Sequence, residues 1–139
     1  MTHFISVDDP PILTSFGELD RDQCLHLLAT GGFGRVVGTD CALPAVHPVS
    51  FVLDGQEVIF QTTAGSTLAG AVGDVVAFQA DDFDHETGVG WTVTGIGKPY
   101  AALDSEQPGS IVLAPHLVLL AIPLWRLTGH RLHRSSARE

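Results

Sequence analysis

Four hydroxyl side chains that can donate hydrogen bonds to an anion lie in one short polar segment. They are Thr62, Thr63, Ser66 and Thr67, and the apolar residues 68–72 follow them. We expect a turn of helix to begin there, with Ser66 as its cap. The unpaired N–H groups and the dipole at the start of a helix favour a phosphate. Threonines that end a strand and a serine that caps a helix give the same pattern, so both interpretations stay open at this point.

The polar segment contains no basic residue. No Lys or Arg occurs between Arg35 and Lys98. A phosphate bound in this segment therefore depends for its positive charge on Arg35, on the arginines near the C-terminus or on a second copy of the chain.

The elements that position this segment are predicted to form a β-hairpin. Apolar residues recur at every second position in 49–53 and again in 58–60, which is the period of a half-buried strand. Asp54-Gly55 is predicted to be the tight turn between them, because such a turn needs positive φ at its two central positions.

One helix is predicted before this hairpin. Asp20 is its expected cap, Gln23 follows three residues later as in a capping box, and Gly31-Gly32 marks its end. Cys24 lies on the apolar stripe of this helix, so we expect its thiol to be buried.

The remaining elements are predicted to be strands. They are expected at 33–39, 75–80 and 90–98, and between residues 111 and 132. Residues 81–88 are predicted to form an exposed acidic loop. This loop lacks the glycine and the distant glutamate of a calcium loop, and the seven histidines show no ligand spacing, so no metal site is expected.

Several short motifs, taken in order, resemble the pyridoxamine 5′-phosphate oxidase-like flavoproteins. They are Gly34-Arg35-Val36, residues 44–51 (PAVHPVSF), Asp54-Gly55, residues 58–62 (VIFQT) and residues 65–68 (GSTL). Length and composition agree with a single domain over residues 1–139. The resemblance, which covers about residues 18–100, implies a mainly β fold. That fold is an antiparallel, Greek-key-like, FMN-binding split β-barrel with one or two short covering helices.

The resemblance also implies where FMN binds. A strand matching His47, Pro48, Val49 and Ser50 lines the isoalloxazine, largely through its backbone. The ribityl phosphate is held by a strand end matching Gln61, Thr62 and Thr63, and by a loop matching Ser66, Thr67 and Leu68. Thr67 stands where that family usually has a basic residue.

A second, shorter resemblance lies near the C-terminus. Trp125 and the later Arg131-Leu132-His133 have the spacing of a segment in true pyridoxamine-phosphate oxidases. There the tryptophan contacts FMN, and the Arg and His hold the substrate. The same residues also fit the plain end of a small flavin barrel, so both interpretations stay open.

The function implied is that of an FMN-binding oxidoreductase-like protein with hydride transfer through flavin N5 and an unassigned small-molecule substrate. The family implies a homodimer with the cofactor site between subunits. Two alternatives are a reductase that uses the deazaflavin F420 and a non-enzymatic protein that binds flavin or haem. His47 is either a group that faces the flavin or a residue that points away from the barrel. No residue pattern identifies a catalytic acid or base.

Composition limits the classes of partner. The chain has 139 residues, 45% of them hydrophobic, and a net charge of −9, so nucleic acid and anionic membranes are not expected to bind it. Residues 1–11 lack the pattern of a signal peptide, and the apolar stretch 111–125 is interrupted by Pro115, His116 and Pro123. We therefore expect a cytoplasmic protein.

Overall fold

Strands make up most of the chain in the computed structural model, which describes residues 10–102 and 116–135. In chain order the elements are β1 (Ile12–Leu19), α1 (Arg21–Leu28), β2 (Gly32–Asp40), β3 (Leu43–Asp54), β4 (Glu57–Thr63), a 3₁₀ turn (Ala69–Ala71), β5 (Val76–Asp84), β6 (Val89–Gly97), β7 (Tyr100–Ala101), β8 (Leu117–Pro123) and β9 (Arg126–Ser135). The predicted mainly β fold with a short helix is therefore confirmed.

All strand pairs are antiparallel and belong to one sheet, in the order β1-β9-β6-β5-β2-β3-β4-β8-β7. Only Lys98 and Pro99 separate β6 from β7, and β7 pairs with β8. The part of the sheet that runs β6-β5-β2-β3-β4-β8-β7 therefore begins at β6 and ends at β7, the strand that directly follows β6 in the chain. This closes a barrel, and β9 and β1 extend it from the other edge of β6.

The barrel interior is apolar because every second residue of its strands points inward. Phe60, Phe78 and Leu120 are almost completely buried, and the rings of Phe51 and Phe78 meet edge to face with centroids 4.8 Å apart. Burying each such side chain stabilises the fold by about 1.5–3 kcal/mol.

Helix α1 begins with the capping box that the sequence predicts. The Gln23 N–H donates to Asp20 Oδ1 at 2.8 Å, and the Asp20 N–H donates to Gln23 Oε1 at 2.9 Å. Cys24 and Leu28 are fully buried. Gly129 of β9 allows this close packing, since a Cβ there would lie 2.6 Å from Cys24 Sγ. Burial raises the pKa of the Cys24 thiol, which agrees with its predicted role as a core residue.

The predicted acidic loop is wrong over its first half. Residues 81–84 belong to β5, where Asp81 pairs with Thr92 of β6. The Asp81 carboxylate forms an ion pair with Arg35 of β2 on the outer face of the sheet. A partner charge on the neighbouring strand therefore lets the acidic run continue as strand, and the connection shrinks to residues 85–88.

The hairpin between β3 and β4 forms, but one residue later than predicted. Asp54 and Glu57 are Cα partners, so the two turn residues are Gly55 and Gln56 rather than Asp54 and Gly55. Gly55 has a φ of +62°. A glycine at the first central position is the pattern of a type II′ turn, which needs positive φ at that position alone.

Within residues 10–102 and 116–135, no helix has the length and apolar character needed to cross a membrane.

Candidate functional site

Strands β3 and β4 separate from each other part of the way along the barrel wall. Their ladder ends at the pair Phe51 and Phe60, although β3 continues back to Leu43 and β4 continues on to Thr63. Residues 43–50 pair with β2 on one side only, and residues 61–63 pair with β8 on one side only. A cleft with two unpaired backbone edges therefore opens between the two strands.

Two prolines establish which backbone groups of β3 face this cleft. Pro48 pairs with Arg35 of β2, and Pro44 pairs with Thr39. A proline has no N–H to exchange with a partner, so these are non-hydrogen-bonded pairs whose backbone groups point away from β2. By alternation, the N–H groups of Val46 and Ser50 and the carbonyls of Pro44, Val46, Pro48 and Ser50 face the cleft.

A groove on the outer surface of the barrel adjoins the cleft. It has a volume of about 320 Å³ and is lined by Ser50 and Val52 of β3, Ile59 and Gln61 of β4, and Leu119 of β8, with Phe51 and Phe60 beneath. Apolar side chains form its floor, and Ser50 and Gln61 provide polar groups at one end. A planar ligand with an apolar face and a hydrogen-bonding edge fits this arrangement.

The residues with the four hydroxyl side chains, 62–67, form a hydroxyl segment that begins within this end of β4, at Thr62 and Thr63. Thr62 Oγ1 and Ser66 Oγ are 3.0 Å apart, and the Ala69 N–H donates to Ser66 Oγ at 3.0 Å. The prediction for Ser66 is therefore met only in part: its hydroxyl accepts the Ala69 N–H, but the residue that caps the following turn is Leu68. The segment that follows is only the 3₁₀ turn Ala69–Ala71, so the expected contribution of a helix dipole does not apply.

Backbone donors are nevertheless available in this segment. Among the described residues, the N–H groups of Gly65, Thr67 and Leu68 donate to no partner. The Leu68 side chain is buried in the core, whereas Thr67 is exposed. Leu68 can therefore contribute to a ligand site through its backbone alone.

Arg35 is already engaged by neighbouring side chains. Its Nε donates to Gln79 Oε1 at 3.0 Å, and its guanidinium forms the ion pair with Asp81. Both partners lie on β5, on the side of β2 away from β3. Arg35 is thus held away from the hydroxyl segment and does not supply the missing positive charge in this arrangement.

His47 and Val49 do not face the groove. They lie on the same face of β3 as Phe51, which is buried in the barrel, and His47 itself is half-buried. Their backbone groups are directed toward β2, opposite in direction to those of Pro48 and Ser50. His47 therefore neither faces the groove nor points away from the barrel.

The three predicted residues of the C-terminal segment are spread along β9 and the residue before it. Trp125 is 58% exposed at the β8–β9 corner, and Lys98 Nζ lies 6.0 Å from its ring. Arg131 and His133 lie six and eight residues further, or about 20 Å or more along the strand. Arg131 lines a groove beside α1, and His133 lines another beside β1. The structure does not bring these residues together with the β3–β4 groove within one chain.

The floor of the groove lies outside the residues that the sequence predicted for the site. Val52, Ile59 and Leu119 point outward from their strands. The sequence signal for this floor is that apolar residues occupy both the odd and the even positions of β3 and β4. A barrel whose outer surface faces only solvent needs apolar residues at its inward positions alone.

An exposed apolar surface continues from the groove across β2 and β3. Phe33 is 66% exposed, and Val46 and Val52 are each 59% exposed. Phe33 is the Cα partner of Ser50, so this surface directly borders the groove. An exposed apolar area of this kind marks a binding surface.

Comparison with known proteins agrees with this architecture. Residues 20–130 match the family model described as pyridoxamine 5′-phosphate oxidase. The uncharacterized protein Rv0080 of Mycobacterium tuberculosis is 41% identical over 96 residues, which span 65% of this chain and 63% of that protein. The match therefore covers less than two thirds of that relative.

Two solved structures are also similar. One is the FAD binding protein from Mycobacterium smegmatis, with a TM-score of 0.70 and 27% identity over 84% of this chain and 97% of that chain. The other is the conserved protein of unknown function DIP1874 from Corynebacterium diphtheriae, with a TM-score of 0.65 and 27% identity over 87% of this chain and 98% of that chain.

Proposed function

Because this chain belongs to the pyridoxamine 5′-phosphate oxidase family, we propose that it binds a flavin, FMN, between β3 and β4 and takes part in hydride transfer. The observation that carries this proposal is the unpaired backbone edge of β3 beside an apolar groove floor. The oxygens and nitrogens of an isoalloxazine need hydrogen-bond donors and acceptors along one edge of a flat, apolar ring system. The N–H and C=O groups of Ser50 and the carbonyl of Pro48 offer such groups.

The phosphate end of the flavin is assigned to the hydroxyl segment. Thr62, Thr63, Ser66 and Thr67 supply hydroxyl groups, and Gly65, Thr67 and Leu68 supply N–H groups without partners among the described residues. These donors suit the oxygens of a phosphate monoester, and no residue of this segment balances the negative charge of the phosphate. Gln61, at the end of β4, is assigned to the ribityl chain.

The chain's own contribution is to bind and orient the cofactor. The flavin supplies a hydride acceptor at N5 when it is bound. Ser50 and Pro48 fix the in-plane orientation of the ring, and the floor of Val52, Ile59 and Leu119 excludes water from one of its faces. Among the described residues that line the groove, none is a carboxylate, an imidazole or an amine, so no side chain there is assigned as a general acid or base.

A second copy of the chain is the proposed cover of the groove. Phe33, Val46 and Val52 form an apolar surface at the groove's border, and burying such a surface against a copy of itself stabilises a dimer. A second copy also offers a basic residue for the phosphate. Sedimentation equilibrium is expected to give the mass of a dimer for the purified protein and of a monomer for Val46→Glu.

The matched control for the dimer is Leu13→Glu. Leu13 is 56% exposed on β1, an edge strand five positions away from β3 in the sheet order. This variant is expected to remain a dimer. A monomeric wild-type protein, or a Val46→Glu variant that stays dimeric, contradicts the proposed interface.

The cofactor is tested by the absorbance spectrum of the purified protein and the mass of the ligand it releases on denaturation. FMN is the expected ligand. If the protein releases FAD, the ligand named for the similar Mycobacterium smegmatis structure, the flavin site is supported but the cofactor is FAD rather than FMN. A released deazaflavin supports an F420-dependent reductase instead. A colourless protein that fails to bind added FMN, FAD and F420 overturns the proposal.

A further inference from the structure

The groove between α1 and β9 brings together a cation and an anion that do not pair with each other. Arg131 and Asp22 both line it, together with Gln23, His26 and Leu27. Within residues 10–102 and 116–135, neither the Arg131 guanidinium nor the Asp22 carboxylate has an ion pair or a side-chain hydrogen bond. We propose that this groove is a second binding site, for a small zwitterion of the α-amino acid class.

Two glycines lie next to Arg131 at this groove. Gly129 lies two residues before it on the same face of β9 and contacts Cys24, which places α1 directly against the strand. Gly17 of β1 is the Cα partner of Arg131, and a Cβ at Gly17 would lie 3.9 Å from Arg131 Cδ. The arginine stem therefore passes Gly17 at ordinary contact distance, and Arg131 lines the groove beside α1.

The opposite wall is one side of α1. Asp22 and His26 are four residues apart and therefore adjacent on the helix surface, as are Gln23 and Leu27. Gln23 is fixed by its capping bond to the Asp20 N–H, and its amide nitrogen stays available as a donor. Leu27 packs partly into the core and forms an apolar patch between the charged groups.

The charges determine the class of ligand. The guanidinium of Arg131 binds a carboxylate through two parallel N–H groups. A phosphate dianion would meet Asp22 in the same groove, and the like charges would repel. A ligand with a carboxylate for Arg131 and an ammonium for Asp22 satisfies both groups. The groove volume of about 260 Å³ is below the range for drug-sized ligands, which favours a single amino acid.

This site is separate from the proposed flavin site. It is lined by residues of β9 and α1, whereas the flavin groove is lined by residues of β3, β4 and β8, and no residue lines both. The inference therefore does not rest on the proposed function, and its test does not require a bound flavin.

The experiment is calorimetric titration of the full chain at neutral pH with L-leucine as the probe. Saturable binding is expected, and Arg131→Gln and Asp22→Asn are each expected to weaken it at least tenfold. Isoamylamine and 4-methylpentanoate each lack one of the two charges and are expected to bind at least tenfold more weakly than L-leucine. The control variant is Arg126→Gln, because Arg126 is exposed on the same strand but does not line the groove.

Circular dichroism and the melting temperature establish that the variants are folded. If L-leucine does not bind the wild-type chain saturably, the proposal is overturned. Equal binding of L-leucine and its two single-charge analogues also overturns it, as does unchanged affinity in both Arg131→Gln and Asp22→Asn.

Discussion

Phe51 and Phe60 are the last Cα partners that join β3 to β4, and both side chains remain buried where the strands separate. The separation therefore costs no core packing. It exposes backbone groups instead, and those groups are unsatisfied by the described residues. Because unpaired backbone groups in a structured edge are costly unless water or a ligand binds them, this pair marks the start of the candidate site.

The first prediction tests a single backbone N–H of that edge. Ser50→Pro removes the N–H that faces the cleft, and the β2 ladder is preserved because that N–H points away from β2. We expect about a tenfold loss of FMN affinity, which corresponds to one hydrogen bond. Fluorescence titration of the apoprotein with FMN measures it.

The control for this change is Ser50→Ala, which removes the hydroxyl but keeps the N–H. It is expected to bind FMN within about twofold of the wild type, since the side chain lines the groove only at its polar end. If Ser50→Pro binds FMN as tightly as Ser50→Ala, the ring does not use this edge.

A second prediction concerns the phosphate. Ser66→Asp places a negative charge beside the proposed phosphate position and is expected to weaken FMN binding more than tenfold, because like charges repel at short range. Ser66→Asn has nearly the same shape without the charge and is expected to bind at least tenfold more tightly than Ser66→Asp. Equal affinity of the two variants would place the phosphate elsewhere.

Closure of the barrel gives a third prediction. A Cβ at Gly97 would collide with the carbonyl oxygen of Pro123, where β6 meets β8. Gly97→Ala is therefore expected to destabilise the protein by about 3 kcal/mol, the upper end of the cost of overpacking. Urea denaturation measures the free energy of unfolding. Gly70→Ala is the control, since a Cβ there meets no atom within 4 Å, and a loss as large in this control would remove the collision as the cause.

The fourth prediction uses the only tyrosine of the chain. The Tyr100 hydroxyl donates to Glu57 Oε1, and this hydrogen bond raises the pKa of Tyr100 above its ordinary value of 10.0. Near-ultraviolet absorbance of tyrosinate is expected to show titration above pH 10 in the wild type. In Glu57→Gln the titration is expected to shift to lower pH.

The same hydrogen bond makes the free energy of unfolding depend on pH. The folded pKa of Tyr100 lies above the unfolded value of about 10. The contribution of the Tyr100 hydrogen bond to the free energy of unfolding is therefore complete below pH 10 and is lost as the pH rises through the folded pKa. The free energy of unfolding, measured below and above pH 10, is expected to fall less in Glu57→Gln than in the wild type.

Local signals in the sequence located most of the fold. The capping box at Asp20 and Gln23 and the two-residue period of β3 and β4 were sufficient to place α1 and the hairpin. The acidic run at 81–84 was misassigned because its strand conformation depends on a partner, Arg35, that is 46 residues away in sequence. Non-local pairing of this kind leaves no local pattern.

The candidate site was less accessible from sequence. Resemblance placed residues 47–50 at the ring, but a strand alternates both its side chains and its backbone groups. Knowing that Pro48 and Ser50 face the cleft while His47 and Val49 do not required the register with β2. The break in the ladder after Phe51 is likewise a property of two strands together. The assignments of Gln61, Thr62, Thr63, Ser66, Thr67 and Trp125 to the cofactor, and of Arg131 and His133 to the substrate, stay predictions.

The pairing of β4 with β8 also determines the order in which this chain completes its fold. The Cα partners Glu57 and Pro123 are separated by nearly half of the 139-residue sequence. During synthesis β4 has β3 as a neighbour almost at once, but its other edge has no partner until β8 leaves the ribosome. Contacts between such distant segments form late and slowly. Until then one edge of β4 stays unpaired, and an unpaired strand edge favours aggregation.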